Sequence, residues 1–208
     1  MKPRAKLYYD IISPFTHILL RTRGPLEAKL DLRPVPVFLP GLLRAQKNVG
    51  PAEIPSKRAF SYASMVWRSE KLGVRFKFPP SHPFSPLAPQ RLLAHVDADL
   101  PMLDKAFAFV FADGRDPNDE WPAFCEAIGL PASTPKPTDE AVKAKLAKST
   151  EDAVNAGVFG VPTIEYEGRL FFGTESVEML LDFIDRPGMF DEPAFQAALN
   201  TKNPLLQK

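Results

Sequence analysis

The sequence predicts an α/β fold interrupted by a large all-helical insertion. Three observations carry that expectation. A strand, a helix and a second strand are legible in the first 40 residues. A hairpin and a helix follow residue 157. Between them, from 41 to 156, apolar residues recur at helical spacing. Removing the middle leaves β-α-β followed by β-β-α, a layered arrangement around one sheet. Stretches this long without structure of their own are uncommon, so the middle reads as a subdomain roofing a site.

The first element, Leu7-Tyr8-Tyr9-Asp10-Ile11-Ile12, is short, apolar and aromatic, as a buried strand is. Ser13-Pro14 follows at once. Serine is a favoured N-cap and proline a favoured first helical residue, so a helix is expected to begin there. Gly24-Pro25 should interrupt or kink it. A second strand is expected over Asp31 to Leu39, and its two prolines place it at an edge.

In the middle stretch, Asp116-Pro117 reads as a cap and first helical residue. Trp121, Phe124, Cys125 and Ile128 then recur at i, i+3, i+4 and i+7. Leu103, Ala106, Phe107, Val110 and Phe111 form a second stripe, and helices are expected over Lys57 to Leu72 and Thr138 to Ala156. Phe78 to Pro89 is too rich in proline for either regular element and reads as an extended loop. After Gly157, Thr163–Tyr166 and Arg169–Phe172 flank Glu167-Gly168, a two-residue hairpin turn. Val177, Leu180, Leu181 and Ile184 mark a last amphipathic helix, and Asp191 to Lys208 should hold a short helix and a loose tail.

Composition narrows the function. The chain has 208 residues, with 26 basic against 25 acidic side chains, so no excess of positive field favours nucleic acid or an anionic membrane. One cysteine excludes an intramolecular disulfide and fits a reducing compartment. Met1 to Leu7 is basic but no apolar run follows as in a signal peptide, and no run approaches the ~20 residues of a membrane span. A cytoplasmic protein is expected.

Several chemistries lack their residues. Cys125 sits on an apolar stripe and reads as a packed core thiol. His17, His82 and His95 are isolated, without metal-ligand spacing, so no metal is expected. No glycine pattern of a dinucleotide or phosphate loop exists. Two features remain. Ser13-Pro14-Phe15-Thr16 is explained by an ordinary helix cap. The same spot also turns backbone N–H groups and the positive helix end outward, and its hydroxyl could donate to a thiolate supplied by something else. Gly157-Val158-Phe159-Gly160-Val161-Pro162-Thr163 is compatible with a cis proline and equally with a trans proline opening a strand.

In this order, the two features resemble the thioredoxin-fold group of DsbA-like oxidoreductases and kappa-class glutathione transferases. Within it, the chain is most similar to the 2-hydroxychromene-2-carboxylate isomerase family. The resemblance spans residues 6 to 185 and rests on Tyr9-Asp10-Ile11-Ile12-Ser13-Pro14-Phe15, Asn48-Val49-Gly50-Pro51, Phe84-Ser85-Pro86-Leu87-Ala88-Pro89-Gln90-Arg91 and Val158-Phe159-Gly160-Val161-Pro162-Thr163. Phe172-Gly173-Thr174-Glu175 follows.

The resemblance implies a thioredoxin-like fold: a discontinuous domain of residues 1–40 and 157–190, a helical insertion of 41–156 and a tail of 191–208. It implies glutathione as cofactor. Ser13 stands where redox relatives have their first cysteine and Thr16 where they have the second, which makes Ser13 the catalytic partner of the glutathione sulfur. Val161 and Pro162 would pair with the tripeptide backbone as an added strand does, and Phe172, Gly173, Thr174 and Glu175 would hold the γ-glutamyl end. Relatives commonly have aspartate where Glu175 stands. Asn48 would face the substrate. Relatives also carry an aspartate and an arginine before a tryptophan matching Trp67; here Ala63 and Val66 stand there, and Arg68 falls just beyond.

The activity so implied is a glutathione-dependent isomerisation of 2-hydroxychromene-2-carboxylate type, a step of aromatic catabolism on a small aromatic substrate. It proceeds by thiolate addition, ring opening, rotation and elimination. A kappa-class-like glutathione transferase and a non-redox thioredoxin-fold binding protein are the alternatives. Related folds often form homodimers.

Overall fold

The structure, a computed structural model, describes residues 1–204. Residues 205–208 of the expected tail lie outside the described residues.

Strand β1 (Arg4–Tyr9) begins three residues earlier than its apolar run suggests and ends before Asp10. Helix α1 (Pro14–Thr22) starts where the Ser-Pro pair places it, with Ser13 as N-cap and Pro14 in the first turn. Gly24-Pro25 interrupts the helix as expected, and the pair opens a separate one, α2 (Gly24–Lys29). Strand β2 (Asp31–Pro36) stops three residues short of Leu39. Pro34 and Pro36 cannot donate to a neighbour, and β2 is accordingly an edge strand. It runs parallel to β1, pairing Tyr9 with Pro36.

The middle stretch is helical among the described residues: α3 (Leu39–Ala45), α4 (Pro55–Lys71), α5 (Leu87–His95), α6 (Leu100–Phe111), α7 (Trp121–Ala127) and α8 (Glu140–Asn155). Two expectations fail here. The proline-rich loop is not extended to Pro89, because α5 begins at Leu87 and holds Pro89 in its first turn, where no helical N–H is needed. Asp116-Pro117 does not start α7, which begins at Trp121. The Asp116 carboxylate instead accepts the Asn118 amide at 2.8 Å and closes a turn.

Strands β3 (Thr163–Tyr166) and β4 (Arg169–Phe172) form the expected hairpin, with Glu167 and Gly168 both at positive φ, 48° and 73°. That is the backbone a two-residue turn between twisted strands requires. Helix α9 (Ser176–Asp185) follows, and a short helix, α10 (Pro193–Leu199), lies in the tail. The sheet order is β2-β1-β3-β4, with β1–β3 and β3–β4 antiparallel. The fold is therefore α/β, a mixed four-stranded sheet with a helical insertion.

Both sheet faces are covered. Alternate residues of β1 divide between them: Leu7 and Tyr9 join a large cluster with Leu19, Phe107, Phe111, Phe171 and Phe183, while Tyr8 joins Val37, Leu42, Ala153, Val158 and Val161. Insertion helices α5, α6 and α7 thus share one apolar core with the sheet, and α3 and α8 close the opposite face.

Candidate functional site

The site is built on the turn between β1 and α1, which two buried polar side chains hold in place. Asp10 is fully buried; one carboxylate oxygen accepts the Ile12 amide at 3.1 Å and the other the Leu39 amide at 2.8 Å. It thereby serves as the cap α3 lacks in its own sequence. Burial pushes the carboxyl up to about 7, against the pull of both amides. Gln90, on α5 and fully buried, accepts the Ile11 amide at 2.9 Å and donates to the Tyr9 and Val37 carbonyls, each at 2.9 Å. These two side chains fix where Ser13 stands.

Ser13 is 4% exposed. Its hydroxyl oxygen accepts the Thr16 amide at 3.3 Å, and its proton can be donated to the Val161 carbonyl at 3.4 Å. The Ser-Pro pair is therefore an N-cap, and the same hydroxyl faces the loop before β3. The Val161-Pro162 bond in that loop is cis. Thr16 is fully buried and its hydroxyl has no partner.

The Pro162 carbonyl accepts the Gly173 amide at 2.8 Å, joining the proline loop to the segment after β4. Gly173 sits at φ 79°, and a side-chain Cβ there would lie 2.8 Å from a Glu175 carboxylate oxygen. The positive φ is what calls for glycine, since the Glu175 carboxylate is the free end of a flexible side chain. Thr174 donates to Glu175 at 3.2 Å. Phe172 packs at a tilt of 51° against Phe159, ring centroids 4.8 Å apart, over Gly160, where a Cβ would meet the Phe172 ring at 2.7 Å. Ser13, Val161, Pro162, Phe172, Gly173, Thr174 and Glu175 are thus linked in an unbroken chain of contacts. Asn48 makes no hydrogen bond to that chain among the described residues; it is exposed and its side chain accepts the Val49 amide at 2.9 Å.

Three residues given no role from sequence also reach this region. Arg68 on α4 makes an ion pair with Glu175, Nη1 to Oε1 at 2.5 Å. The Nε2 of His82 lies 2.8 Å from the Ile12 carbonyl, next to Ser13. A carbonyl can only accept, so Nε2 carries the proton, and Nδ1 accepts the Tyr62 hydroxyl at 2.6 Å. Burial among Phe78, Phe84 and Phe111 holds the His82 pKa below its usual range. Spacing had marked His82 as isolated because its partners are distant in the chain.

Cys125 lies fully buried and desolvation pushes its thiol up. A groove of about 540 Å³ between β1, β2 and α8 contains none of the site's residues. Its lysines are each paired: Lys6 with Glu165, Lys145 with Asp97 and Lys148 with Asp152. Among the described residues, no helix is long and apolar enough to cross a membrane.

Comparison with known proteins places the fold. A family model, the DSBA-like thioredoxin domain, matches residues 5–185. Among solved structures, a 2-hydroxychromene-2-carboxylate isomerase matches with a TM-score of 0.73 at 18% identity, over 95% of this chain and 100% of its own. A proposed protein disulfide isomerase from Nitrosomonas europaea matches with a TM-score of 0.61 at 17% identity, over 89% of this chain and 99% of its own. No curated protein matches the sequence.

Proposed function

The chain belongs to the DSBA-like thioredoxin domain family, and from that premise we propose that it is a glutathione-dependent isomerase acting on a small aromatic carboxylate of the hydroxychromene type. One observation carries the reading: a lone serine hydroxyl caps α1 beside the cis-proline loop, 3.4 Å from the Val161 carbonyl, where a redox relative would need two thiols. The only cysteine of the chain is buried in the core on α7, so disulfide exchange within one chain has no second sulfur.

The residues present fit glutathione. Ser13 offers a hydroxyl at a positive helix end, and Pro14 has no N–H, so the Phe15 amide is the first that the helix end presents. The loop offers the Val161 carbonyl, held only by a long contact, and Glu175 supplies a carboxylate for an ammonium. When bound, glutathione would supply a thiolate that adds to the substrate and leaves again unchanged.

The demand on Ser13 is modest. A cysteine-like thiol of pKa ~8.5 is about 3% ionised at pH 7, and lowering it by ~2 units takes about 2.7 kcal/mol. A helix N-terminus contributes up to ~2 kcal/mol and a hydroxyl bond to a charged group ~1.5–3 kcal/mol. The Ser13 proton need only turn from its long contact with Val161 toward the sulfur. Positioning must supply more, since oriented reactants can gain about 7 kcal/mol or more. Helix α4 and the exposed rings of Phe159 and Phe172 stand where a flat substrate could be held.

Replacing Ser13 with alanine tests this. Ser13→Ala should lower glutathione-dependent turnover about 10- to 100-fold, the worth of one charge-assisted hydrogen bond, and cost about 1 kcal/mol of stability as a lost cap. The wild-type assay separates the neighbouring activities: recovered free glutathione supports isomerisation, whereas a stable adduct supports transfer. Unchanged turnover in Ser13→Ala removes the serine from the chemistry.

A further inference from the structure

We propose that Arg68 reads the α-carboxylate of the γ-glutamyl end of glutathione while Glu175 takes the α-ammonium, so that the two form a clamp for a zwitterionic amino-acid head; this rests on the glutathione reading above. The clamp is visible as an ion pair between elements far apart in sequence, Arg68 on α4 and Glu175 at the start of α9, 2.5 Å between Nη1 and Oε1. A carboxylate and a guanidinium held side by side are the complement of an ammonium and a carboxylate carried on one carbon.

Two details show that the pair has capacity left over. The Arg68 Nε is closed off from solvent and has no partner, although Nη1 is engaged. The Nε–Nη2 edge of a guanidinium is the fork that binds a carboxylate in two places; here Nε is unpartnered but covered, and it becomes available when the side chain swings as the ion pair opens. On the other side, the Glu175 side chain is 63% exposed, and its Oε2 folds over Gly173, whose amide holds the Pro162 carbonyl. The carboxylate therefore stands next to the proline loop, where the rest of the tripeptide would lie. An exposed ion pair is weakly held in water, so its members can exchange partners when a head group arrives. The arginine comes from the helical insertion and the glutamate from the thioredoxin-like part, so a bound head group would bridge the two.

The test is calorimetric titration with three tripeptides: glutathione, 4-aminobutyryl-Cys-Gly, which lacks the α-carboxylate, and glutaryl-Cys-Gly, which lacks the α-ammonium. Wild type should bind 4-aminobutyryl-Cys-Gly about 10- to 100-fold more weakly than glutathione. Arg68→Ala should bind glutathione with that same loss and show no further loss for the carboxylate-free analogue. Arg68→Lys should recover part of the affinity, because it restores the charge but not the fork. Glu175→Gln should be blind to removal of the ammonium in the same way. Glutathione binding by wild type that is indifferent to Arg68→Ala, or to the missing carboxylate, overturns the clamp alone. No binding of any of the three overturns the clamp and the glutathione reading together.

Discussion

At the scale of single residues, two buried titratable groups beside the site pull stability in opposite directions with pH. His17 is fully buried on α1, with Nε2 on the Arg75 carbonyl at 3.0 Å and Nδ1 unpartnered. Burial pushes its pKa down to about 4 from 6.5. The folded state then binds fewer protons than the unfolded one between those values. Its contribution is complete above about pH 6.5 and is lost as pH falls toward 4, by up to roughly 3 kcal/mol. Asp10 has the opposite sign. With its pKa raised from 3.8 to about 7, its contribution is complete below pH 4 and is lost as pH rises through 7. In His17→Gln, which keeps a donor for the Arg75 carbonyl, the Asp10 trend should stand alone. Urea midpoints of this variant should fall from pH 4 to 7 relative to wild type. Parallel profiles for the two proteins would contradict the assignment.

At the scale of elements, what sequence made legible was whatever had a local cause. Ser13-Pro14 announces α1 because the cap and the fixed φ of proline act on adjacent residues. Glu167-Gly168 announces the hairpin because glycine reaches positive φ without steric cost and a two-residue turn forms around it. The juxtaposition of Ser13 with Val161, 148 positions away, followed from resemblance and not from pattern. Arg68 stayed hidden because Glu175 lies 107 positions on, and His82 because Ile12 lies 70 positions back. No periodicity encodes such pairs. The misreadings have local reasons too. Pro89 looked like a loop residue but occupies a first turn, and Asp116 looked like a cap but closes a turn of its own. Asp10 and Gln90 were read as parts of a motif, and their buried bonds show why the motif needs them: they replace backbone pairing at the point where β1 gives way to α1.

At the scale of the whole molecule, the insertion and the sheet share one apolar core. Phe107 of α6 meets Tyr9 of β1 edge-on at 6.3 Å, and within its own helix it stacks on Phe111 at 6.2 Å. Phe107→Ala should therefore cost about 3–5 kcal/mol and lower the stability of sheet and insertion together. Both tryptophans, Trp67 on α4 and Trp121 on α7, lie in the insertion. Tryptophan fluorescence and far-ultraviolet circular dichroism should give coincident unfolding curves, and separated curves would mean two independent units. The proposed chemistry needs the serine held in place, and α1 shares this core through Leu19 and Leu20. The most direct probe of that chemistry is the ionisation of bound glutathione, followed by thiolate absorbance against pH. Cys125 does not interfere, since burial pushes its thiol up. Bound glutathione should titrate well below the ordinary thiol value of ~8.5 in wild type and return toward it in Ser13→Ala. An identical titration midpoint in the two proteins would mean that the serine hydroxyl does not stabilise the sulfur anion.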